Sequence, residues 1–201
     1  MSTKDSAEDD EMRESNAIQS LKKYYNDRSA PIISEELQKE LEGTSDRAIV
    51  IILGTFLDDA LEFVLASKMV RINDTEFKQA FRFDGPIGPF SSRIELAYLF
   101  GWIDKDTKKR LHYIREMRNA CAHSKRHISF DTPELANVGK RFLEGALFAI
   151  SGLTALDLRK AMISECFFLF NVLITSREQA LAQLKDSLGK YLDERPSSTD
   201  K

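Results

Sequence analysis

Apolar residues recur at spacings of three and four along most of the 201-residue chain, which is the period of an α-helix. The clearest stripe begins at Ile49 and predicts a helix over residues 46–70. No stretch of useful length alternates apolar and polar residues, so no strand is predicted. The pattern indicates an all-α fold, a single helical bundle. The other predicted helices cover residues 16–29, 34–42, 75–83, 92–100, 105–122, 133–152 and 156–192.

Residues that favour helix ends set several of these boundaries. Ser34 and Asp104 are N-cap residue types, and Thr132 is followed by a proline at the first helical position. Ser92 and Glu95 have the spacing of a capping box. Gly101 can end the 92–100 helix in a left-handed conformation.

The densest turn signal lies at residues 84–89, DGPIGP. Two glycines resemble a phosphate-binding turn, but the prolines remove backbone donors that such a cradle needs. A structural turn is therefore the favoured interpretation. We expect Gly85 and Gly88 to adopt backbone conformations that are closed to other residues.

The last predicted helix is apolar on nearly all sides between residues 162 and 174. Such a helix is either central to the core or shared with a second subunit. Because a domain of this size offers limited core, we predict a homodimer in which residues 156–175 take part. In the 105–122 helix, the residues expected to face the core are Leu111, Ile114, Met117 and Cys121.

The composition is 42% apolar and 30% charged, which is typical of a folded globular domain. Residues 1–15 hold six acidic and two basic residues and predict a disordered acidic tail. Residues 193–201 predict a second disordered tail, leaving 16–192 as a single α-helical domain. No apolar run reaches the ~18 residues of a membrane span, and the expected location is the cytoplasm.

Cysteine and histidine are too few, and too far from known patterns, to predict a metal or another cofactor. Cys121 and Cys166 form no C-x-x-C pair. A site from Cys121, His123 and His127 matches no common zinc spacing. A buried cysteine beside histidines that cap a helix end is the favoured interpretation.

Basic residues concentrate in residues 104–127, where eight bases and three acids give a charge of +5, although the whole chain carries −3. A solvated helix face is the simpler interpretation. The alternative is that the segment attracts phosphates. The candidate phosphate-binding or RNA-binding residues are Lys108, Lys109, Arg115, Lys125 and Arg126.

Catalytic chemistry is conceivable at the end of this segment, around Arg118 and His123. An arginine can counter phosphate charge, and a histidine can transfer a proton near neutral pH. On one helix, however, five residue steps leave the two side chains ~7.5 Å apart along the axis and about 140° apart around it. They can converge if the helix ends early or a second subunit contributes. Otherwise Arg118 pairs with Asp58 or Asp59, and His123 caps the helix end.

A helix-turn-helix spanning residues 94–117 is the candidate DNA-reading element. Its second helix would have to bury Thr107 and Arg110, which are polar, and its turn length fits poorly. Direct sequence-specific DNA binding is therefore not expected.

Residues 84–103 (DGPIGPFSSRIELAYLFGWI) resemble the signature of the MltR (mannitol operon repressor) family. That signature is a D-G-P-[LI]-G turn, then S-x-R, then a helix ending in L-G-x-I. Residues 45–47 (SDR) and 56–59 (FLDD) resemble its upstream helix. The resemblance covers residues 40–150 and departs at residues 100–102 (FGW). It implies a helical regulatory protein, associated with repression of sugar-alcohol operons, that acts through a protein partner.

A second, shorter motif, Arg118-Asn119-x-x-x-His123, is similar to the R-[polar]-x-x-x-H motif of the HEPN superfamily. These are α-helical proteins, often dimeric, and many are metal-independent RNases. The resemblance implies that Arg118, Asn119 and His123 meet RNA at a dimer interface. Toxin–antitoxin members often carry a tyrosine two residues after the histidine, where this chain has Lys125. The MltR-type regulator is the favoured function, because that resemblance is longer; the HEPN-type endoribonuclease is the alternative.

Overall fold

The structure, a computed structural model, describes residues 19–21, 31–69, 73–144 and 154–193, with side chains as far as residue 175. The chain divides into two units, Met1–Ala30 and Pro31–Lys201. In the first unit the described residues, 19–21, are helical. Residues 1–15 and 194–201, predicted to be tails, and most of the predicted 16–29 helix lie outside the described residues.

Within its described residues, the second unit consists of helices joined by turns and loops and has no β-strand, which confirms the predicted all-α fold class. Seven helices are described there. They are α1 (Glu35–Gly43), α2 (Asp46–Lys68), α3 (Asp74–Ala80), α4 (Phe90–Leu99), α5 (Lys105–His123), α6 (Pro133–Phe142) and α7 (Ala155–Asp193).

Most predicted boundaries are confirmed by specific contacts. The Ser34 hydroxyl accepts the Leu37 N–H at 3.1 Å at the start of α1. The Asp104 carboxylate accepts the Thr107 N–H at 2.7 Å at the start of α5. Gly101, which follows α4, has φ +68° and is left-handed as predicted. A side chain there would be strained, so this position favours glycine.

Two predicted boundaries are wrong or incomplete. α4 begins at Phe90, with Pro89 as its N-cap and no side-chain cap, so Ser92 lies inside the helix and forms no capping box. Glu95 instead accepts hydrogen bonds from α5. α6 ends at Phe142 rather than at residue 152, and residues 145–153 lie outside the described range.

The core is built around α2, which packs against α4, α5 and α7. Its buried residues face more than one neighbour, as expected of a central helix. In α5, the four residues predicted to face the core (Leu111, Ile114, Met117 and Cys121) are all buried. Buried residues of α2 are Ile49, Val50, Leu53, Gly54, Phe56, Leu57, Ala60, Leu61, Val64 and Leu65.

Helices α2 and α7 run in the same direction. Near their first turns, Arg159 pairs with Asp46 at 2.8 Å, and farther along Phe170 packs on Phe56 with ring centroids 4.7 Å apart. Arg159 also donates to the carbonyl oxygens of Leu41 and Thr44, at 2.9 and 2.7 Å. A single side chain from α7 therefore satisfies free carbonyl groups where α1 ends and links them to α2.

The middle of α7 is not buried on all sides, although the sequence predicted a helix that is apolar on nearly all sides. One face is buried within the unit and includes a carboxylate, that of Glu165. The outer face carries Ser164, Phe168 and Asn171, and among these only the Phe168 side chain is large and apolar, at 46% exposed. In the described part of α7, Phe168 is therefore the one phenylalanine that is exposed.

The homodimer remains a prediction, and Phe168 is its test. We expect the wild-type protein to be dimeric in light scattering, and Phe168→Glu to shift it toward the monomer, because an added charge would be desolvated in the interface. Thr75→Glu adds a glutamate at an exposed position of α3 and should leave the mass unchanged. A wild-type monomer at micromolar concentration would contradict the dimer. An unchanged mass in Phe168→Glu would contradict only this interface.

The turn between α3 and α4 is held by backbone hydrogen bonds. The Gly85 N–H donates to the Arg82 carbonyl at 2.8 Å, and the Ile87 N–H donates to the Ala80 carbonyl at 2.9 Å. Neither Gly85 nor Gly88 has a positive φ, so the predicted reason for these glycines is wrong. They are required because the backbone is too close: a Cβ would lie 2.2 Å from the Gln79 oxygen at Gly85 and 1.9 Å from the Arg82 oxygen at Gly88.

Gly85→Val should therefore destabilise the fold. A side chain cannot fit without moving the backbone of the preceding turn. We expect this movement to lower the free energy of unfolding by about 3 kcal/mol. For a chain of this length, that loss lowers the melting temperature by roughly 6–12 °C. Gly43→Val is the matched control, since nothing lies within 4 Å of a Cβ there. Thermal unfolding of both variants measures the difference, and equal melting temperatures would contradict the close-approach explanation.

Candidate functional site

Charged residues of α2, α4 and α5 meet in one place. Asp58, Asp59 and Glu62 on α2 lie beside Arg93 of α4 and Arg118 of α5. We call these five residues the charged cluster. The three acids of α2 face two basic side chains rather than solvent alone.

Arg93 is the centre of the charged cluster, with a side chain only 8% exposed. Its Nη1 donates to Asp58 Oδ1 at 2.6 Å, and its Nη2 pairs with the Glu62 carboxylate. Its Nε donates to the Ile87 carbonyl at 3.0 Å. One guanidinium thus ties the 84–89 turn to α2. Because burial of an unpaired charge is costly, this arginine must keep its partners.

Asp58 is shared between two arginines. Its second oxygen accepts from Arg118 Nη1 at 2.9 Å, and the Arg118 guanidinium lies 5.4 Å from the centroid of the Phe90 ring. Gly54 makes room for this side chain, since a Cβ there would lie 2.9 Å from the Arg118 Cβ. Of the alternatives left open by the sequence, the pairing of Arg118 with Asp58 is confirmed.

Asp59 is the acid of the charged cluster that makes no ion pair or hydrogen bond with the described residues. Asp59 is exposed along one side of α2. The protein atoms around its carboxyl nevertheless exclude part of the water, and this desolvation disfavours the charged form. The negative charges of Asp58 and Glu62 act in the same direction, and together they raise the pKa of Asp59 to about 6, against the opposing effect of Arg93 and Arg118. Three carboxylates against two guanidiniums leave the cluster with excess negative charge.

Asp59→Asn should stabilise the protein above pH 6. A carboxyl whose folded pKa is raised contributes stability that is complete below its unfolded pKa and is lost as the pH rises through the folded value. After a discount for solvent screening, we expect Asp59→Asn to raise the free energy of unfolding at pH 8 by about 1 kcal/mol. This corresponds to a melting temperature higher by roughly 2–4 °C. The difference from the wild type should vanish near pH 4. Asp157→Asn should act oppositely at pH 8, because hydrogen bonds from Thr154 lower the Asp157 pKa. A pH-independent effect of Asp59→Asn, measured by thermal unfolding, would contradict this assignment.

The structure does not bring Arg118 and His123 together within one chain. Both lie on α5, which continues through His123, so the ~7.5 Å separation along the helix axis holds. Asn119 is half-buried and His123 is exposed. Two ways for Arg118 and His123 to meet were considered. The structure excludes an early end of α5, so the two side chains can meet only if a second subunit contributes one of them.

His123 does not supply the cap expected of it. The Ser124 N–H donates to the Ala120 carbonyl at 3.0 Å, and Arg47 donates to the Ala122 carbonyl at 3.3 Å. A cation near the C-terminal end of a helix is favourable, and here Arg47 provides it. Arg47 belongs to the SDR segment that resembles the MltR upstream helix, so that segment secures the end of α5.

The five candidate phosphate-binding residues separate into two groups. Lys108 pairs with Glu95 at 2.7 Å and Lys109 pairs with Glu144 at 3.7 Å. Arg115 pairs with its neighbour Glu116. In contrast, Lys125 and Arg126 are exposed and form no ion pair with the described residues. The positive charge of the 104–127 segment is thus concentrated at its end.

The main argument against a helix-turn-helix was wrong. Thr107 and Arg110 are both buried, although they are polar. Arg110 is accommodated because it pairs with Glu165 of α7 and with Asp106 at 3.0 Å. This pair was not predicted. A single carboxylate within the apolar 162–174 stretch was the signal that a buried cation must lie opposite it.

Groups of three or more metal-ligating side chains are absent from the part of the chain that the structure describes. Cys121 is fully buried in the core, and burial raises the pKa of its thiol. None of the described helices is long and apolar enough to cross a membrane.

No protein-family model matches the chain, and no curated protein matches its sequence. Among solved structures, the chain is similar to one in the X-ray structure of the MtlR–HPr complex from Escherichia coli. The TM-score is 0.53 with 19% sequence identity, over 68% of this chain and 94% of that chain. The fold is MtlR-like. At this identity the similarity concerns the fold, and it agrees with the fold that the MltR resemblance implies.

Proposed function

We propose that the chain is a regulatory protein of the MltR type that acts by binding a protein partner. The observation that carries this proposal is the similarity of its fold to that of a chain in a complex of MtlR with HPr. The charged cluster adds support, because it joins Asp58 and Asp59, from the 56–59 segment, to Arg93, from the 84–103 segment, and both segments resemble the MltR signature. An HPr-type protein is accordingly the first partner to test.

Direct reading of DNA sequence is not part of the proposal. The most basic helix, α5, engages Lys108 and Lys109 in ion pairs on its surface and Arg110 in a buried pair. A recognition helix needs its polar side chains free to contact base edges in the major groove. Repression, if the protein performs it, would then proceed through the partner.

Isothermal titration of the full-length chain with HPr tests the proposal. We expect saturable binding with a one-to-one ratio per protomer. A gel-shift series with duplex DNA should show no sequence preference once salt is raised, since nonspecific binding falls steeply with salt. Absence of HPr binding would remove this partner, and sequence-specific DNA binding would contradict the proposed mode of action.

A HEPN-type metal-independent endoribonuclease is the second candidate. Asn119 and His123 are four residues apart on α5 and share a face, and the exposed His123 lies next to the exposed Lys125 and Arg126. The 2′-OH of RNA would attack the adjacent phosphate and break its bond to the 5′-oxygen of the next nucleotide, which leaves a 2′,3′-cyclic phosphate. His123 would transfer a proton, either from the attacking 2′-OH or to the leaving 5′-oxygen, and Arg118 would counter the charge on the phosphate. Arg118 would have to leave Asp58 or act from a second subunit.

Cleavage assays separate this candidate from the first. The nuclease hypothesis expects cleavage that persists in EDTA and leaves 2′,3′-cyclic phosphate ends. His123→Ala should then lower the rate by about 10²- to 10⁴-fold without altering the melting temperature. Lack of cleavage by the wild-type protein across varied RNAs would rule out catalysis by this motif.

A further inference from the structure

The loop that follows α5 carries two adjacent cations, Lys125 and Arg126, that are exposed and form no ion pair with the residues the structure describes. We define the 123–127 loop as the residues HSKRH, which are the last residue of α5 and the four residues after it. His123, Lys125, Arg126 and His127 are all exposed, and none forms an ion pair or a hydrogen bond through its side chain with the described residues. The loop therefore presents two cations and two imidazoles to solvent.

The loop is ordered by its own contacts. The Ser124 Oγ accepts the Arg126 N–H at 3.1 Å and donates to the Arg126 carbonyl at 3.0 Å. The Ser124 N–H closes the last turn of α5. Fixing the backbone in advance lowers the entropic cost of binding, so Lys125 and Arg126 are presented from a preformed loop.

The negative end of the α5 dipole would oppose an anion at this place. Arg47 offsets it, because its guanidinium reaches the Ala122 carbonyl at 3.3 Å. The anion can then be recognised by side chains of the loop rather than by the helix end. Arg126 can hold a carboxylate with two parallel hydrogen bonds, and Lys125 adds a point charge.

We propose that the 123–127 loop docks an acidic surface of a protein partner. This inference rests on the proposed function, since it names the surface through which the partner binds. A protein is favoured over RNA because the basic track along α5 is interrupted: Glu95, Glu144 and Glu116 neutralise Lys108, Lys109 and Arg115. Two adjacent cations suit one or two carboxylates, whereas a nucleic acid strand needs a groove that tracks its backbone.

Fluorescence anisotropy with two labelled probes of equal charge, a glutamate decamer and a uridine decamer RNA, tests the inference on the full-length chain. The variant Lys125→Glu with Arg126→Glu should weaken binding of the glutamate decamer by about tenfold or more, which is ~1.4 kcal/mol. The control Lys39→Glu with Lys78→Glu makes the same change in net charge at exposed positions and should have a much smaller effect. Both variants should keep the wild-type melting temperature.

The outcomes that overturn the inference are distinct. No binding of the glutamate decamer by the wild-type protein, or equal weakening by the control, would show that the loop is not an acidic docking surface. Tighter binding of the uridine decamer, lost in the loop variant, would make it an RNA site instead. HPr binding that survives in the loop variant would also overturn it. If the wild-type protein does not bind HPr but binds the glutamate decamer through the loop, HPr is not the partner. The inference that the loop docks an acidic surface then still holds.

Discussion

Arg110→Ala is expected to lower the free energy of unfolding by about 3–5 kcal/mol, because it leaves a buried carboxylate without its cation. The Glu165 side chain is only 3% exposed and pairs with Arg110, whose own side chain is 9% exposed. Burial raises the pKa of Glu165, and the charge of Arg110 opposes that rise. Thermal unfolding should show a decrease of roughly 6–20 °C in melting temperature.

Two further measurements identify the cause. In Arg110→Ala the unpaired Glu165 should bind a proton, so the loss should be smaller at pH 5 than at pH 8. Replacing both partners with apolar residues of similar volume, Arg110→Met with Glu165→Leu, should restore most of the stability. Lys109→Ala, which removes an exposed ion pair, should cost less than ~1 kcal/mol. An Arg110→Ala effect as small as that of Lys109→Ala would contradict the buried-pair assignment.

Arg93→Ala should be about as damaging. The change removes a partner of Glu62, one of the two arginine partners of Asp58 and the donor to the Ile87 carbonyl. Loss of a partner from a buried, hydrogen-bonded ion pair costs about 3–5 kcal/mol, and the 84–89 turn also loses its link to α2. We expect urea unfolding to show a clearly lower midpoint, provided that the variant folds.

Arg118→Ala is the matched control for Arg93→Ala. It removes a cation from the same Asp58, but the Arg118 side chain is 24% exposed and Asp58 keeps Arg93. Its loss should therefore be clearly smaller, near the ~1 kcal/mol of a partly exposed pair. If Arg93→Ala does not fold, Arg93→Lys can replace it, because lysine keeps the positive charge. We expect Arg93→Lys to be destabilised more than Arg118→Ala. Equal destabilisation by Arg93→Lys and Arg118→Ala would contradict the central role of Arg93.

The helices could be predicted from the sequence because their signals are local. The period of apolar residues, the caps at Ser34 and Asp104, and the glycine at 101 each act over a few residues. The false capping box at Ser92 shows the limit of such signals, since the N-cap of α4 is Pro89, three residues earlier. The two turn glycines were recognised as special, but their reason lies in carbonyl groups of residues 79 and 82 that only the folded backbone brings close.

The candidate site was only partly predictable, because it depends on pairs far apart in the chain. Asp58 was considered as a partner of Arg118, but nothing local indicated that Arg93 would bind the same carboxylate. Burial of Arg110 depends on Glu165, which lies 55 residues later. The split of the basic residues into paired and unpaired groups also follows from tertiary contacts with Glu95 and Glu144. Charge counts along a segment cannot distinguish these groups.

The link from Arg159 to the start of the bundle has a consequence for folding during synthesis. Asp46 and Arg159 are 113 residues apart, so the junction between α1 and α2 cannot be completed until α7 has been made. At about 5–20 residues per second, a ribosome needs on the order of 6–20 s to synthesise the intervening chain. During that interval the central helix lacks one side of its core. The emerging chain must therefore keep the apolar face of α2 covered, either by α4 and α5 or by a chaperone.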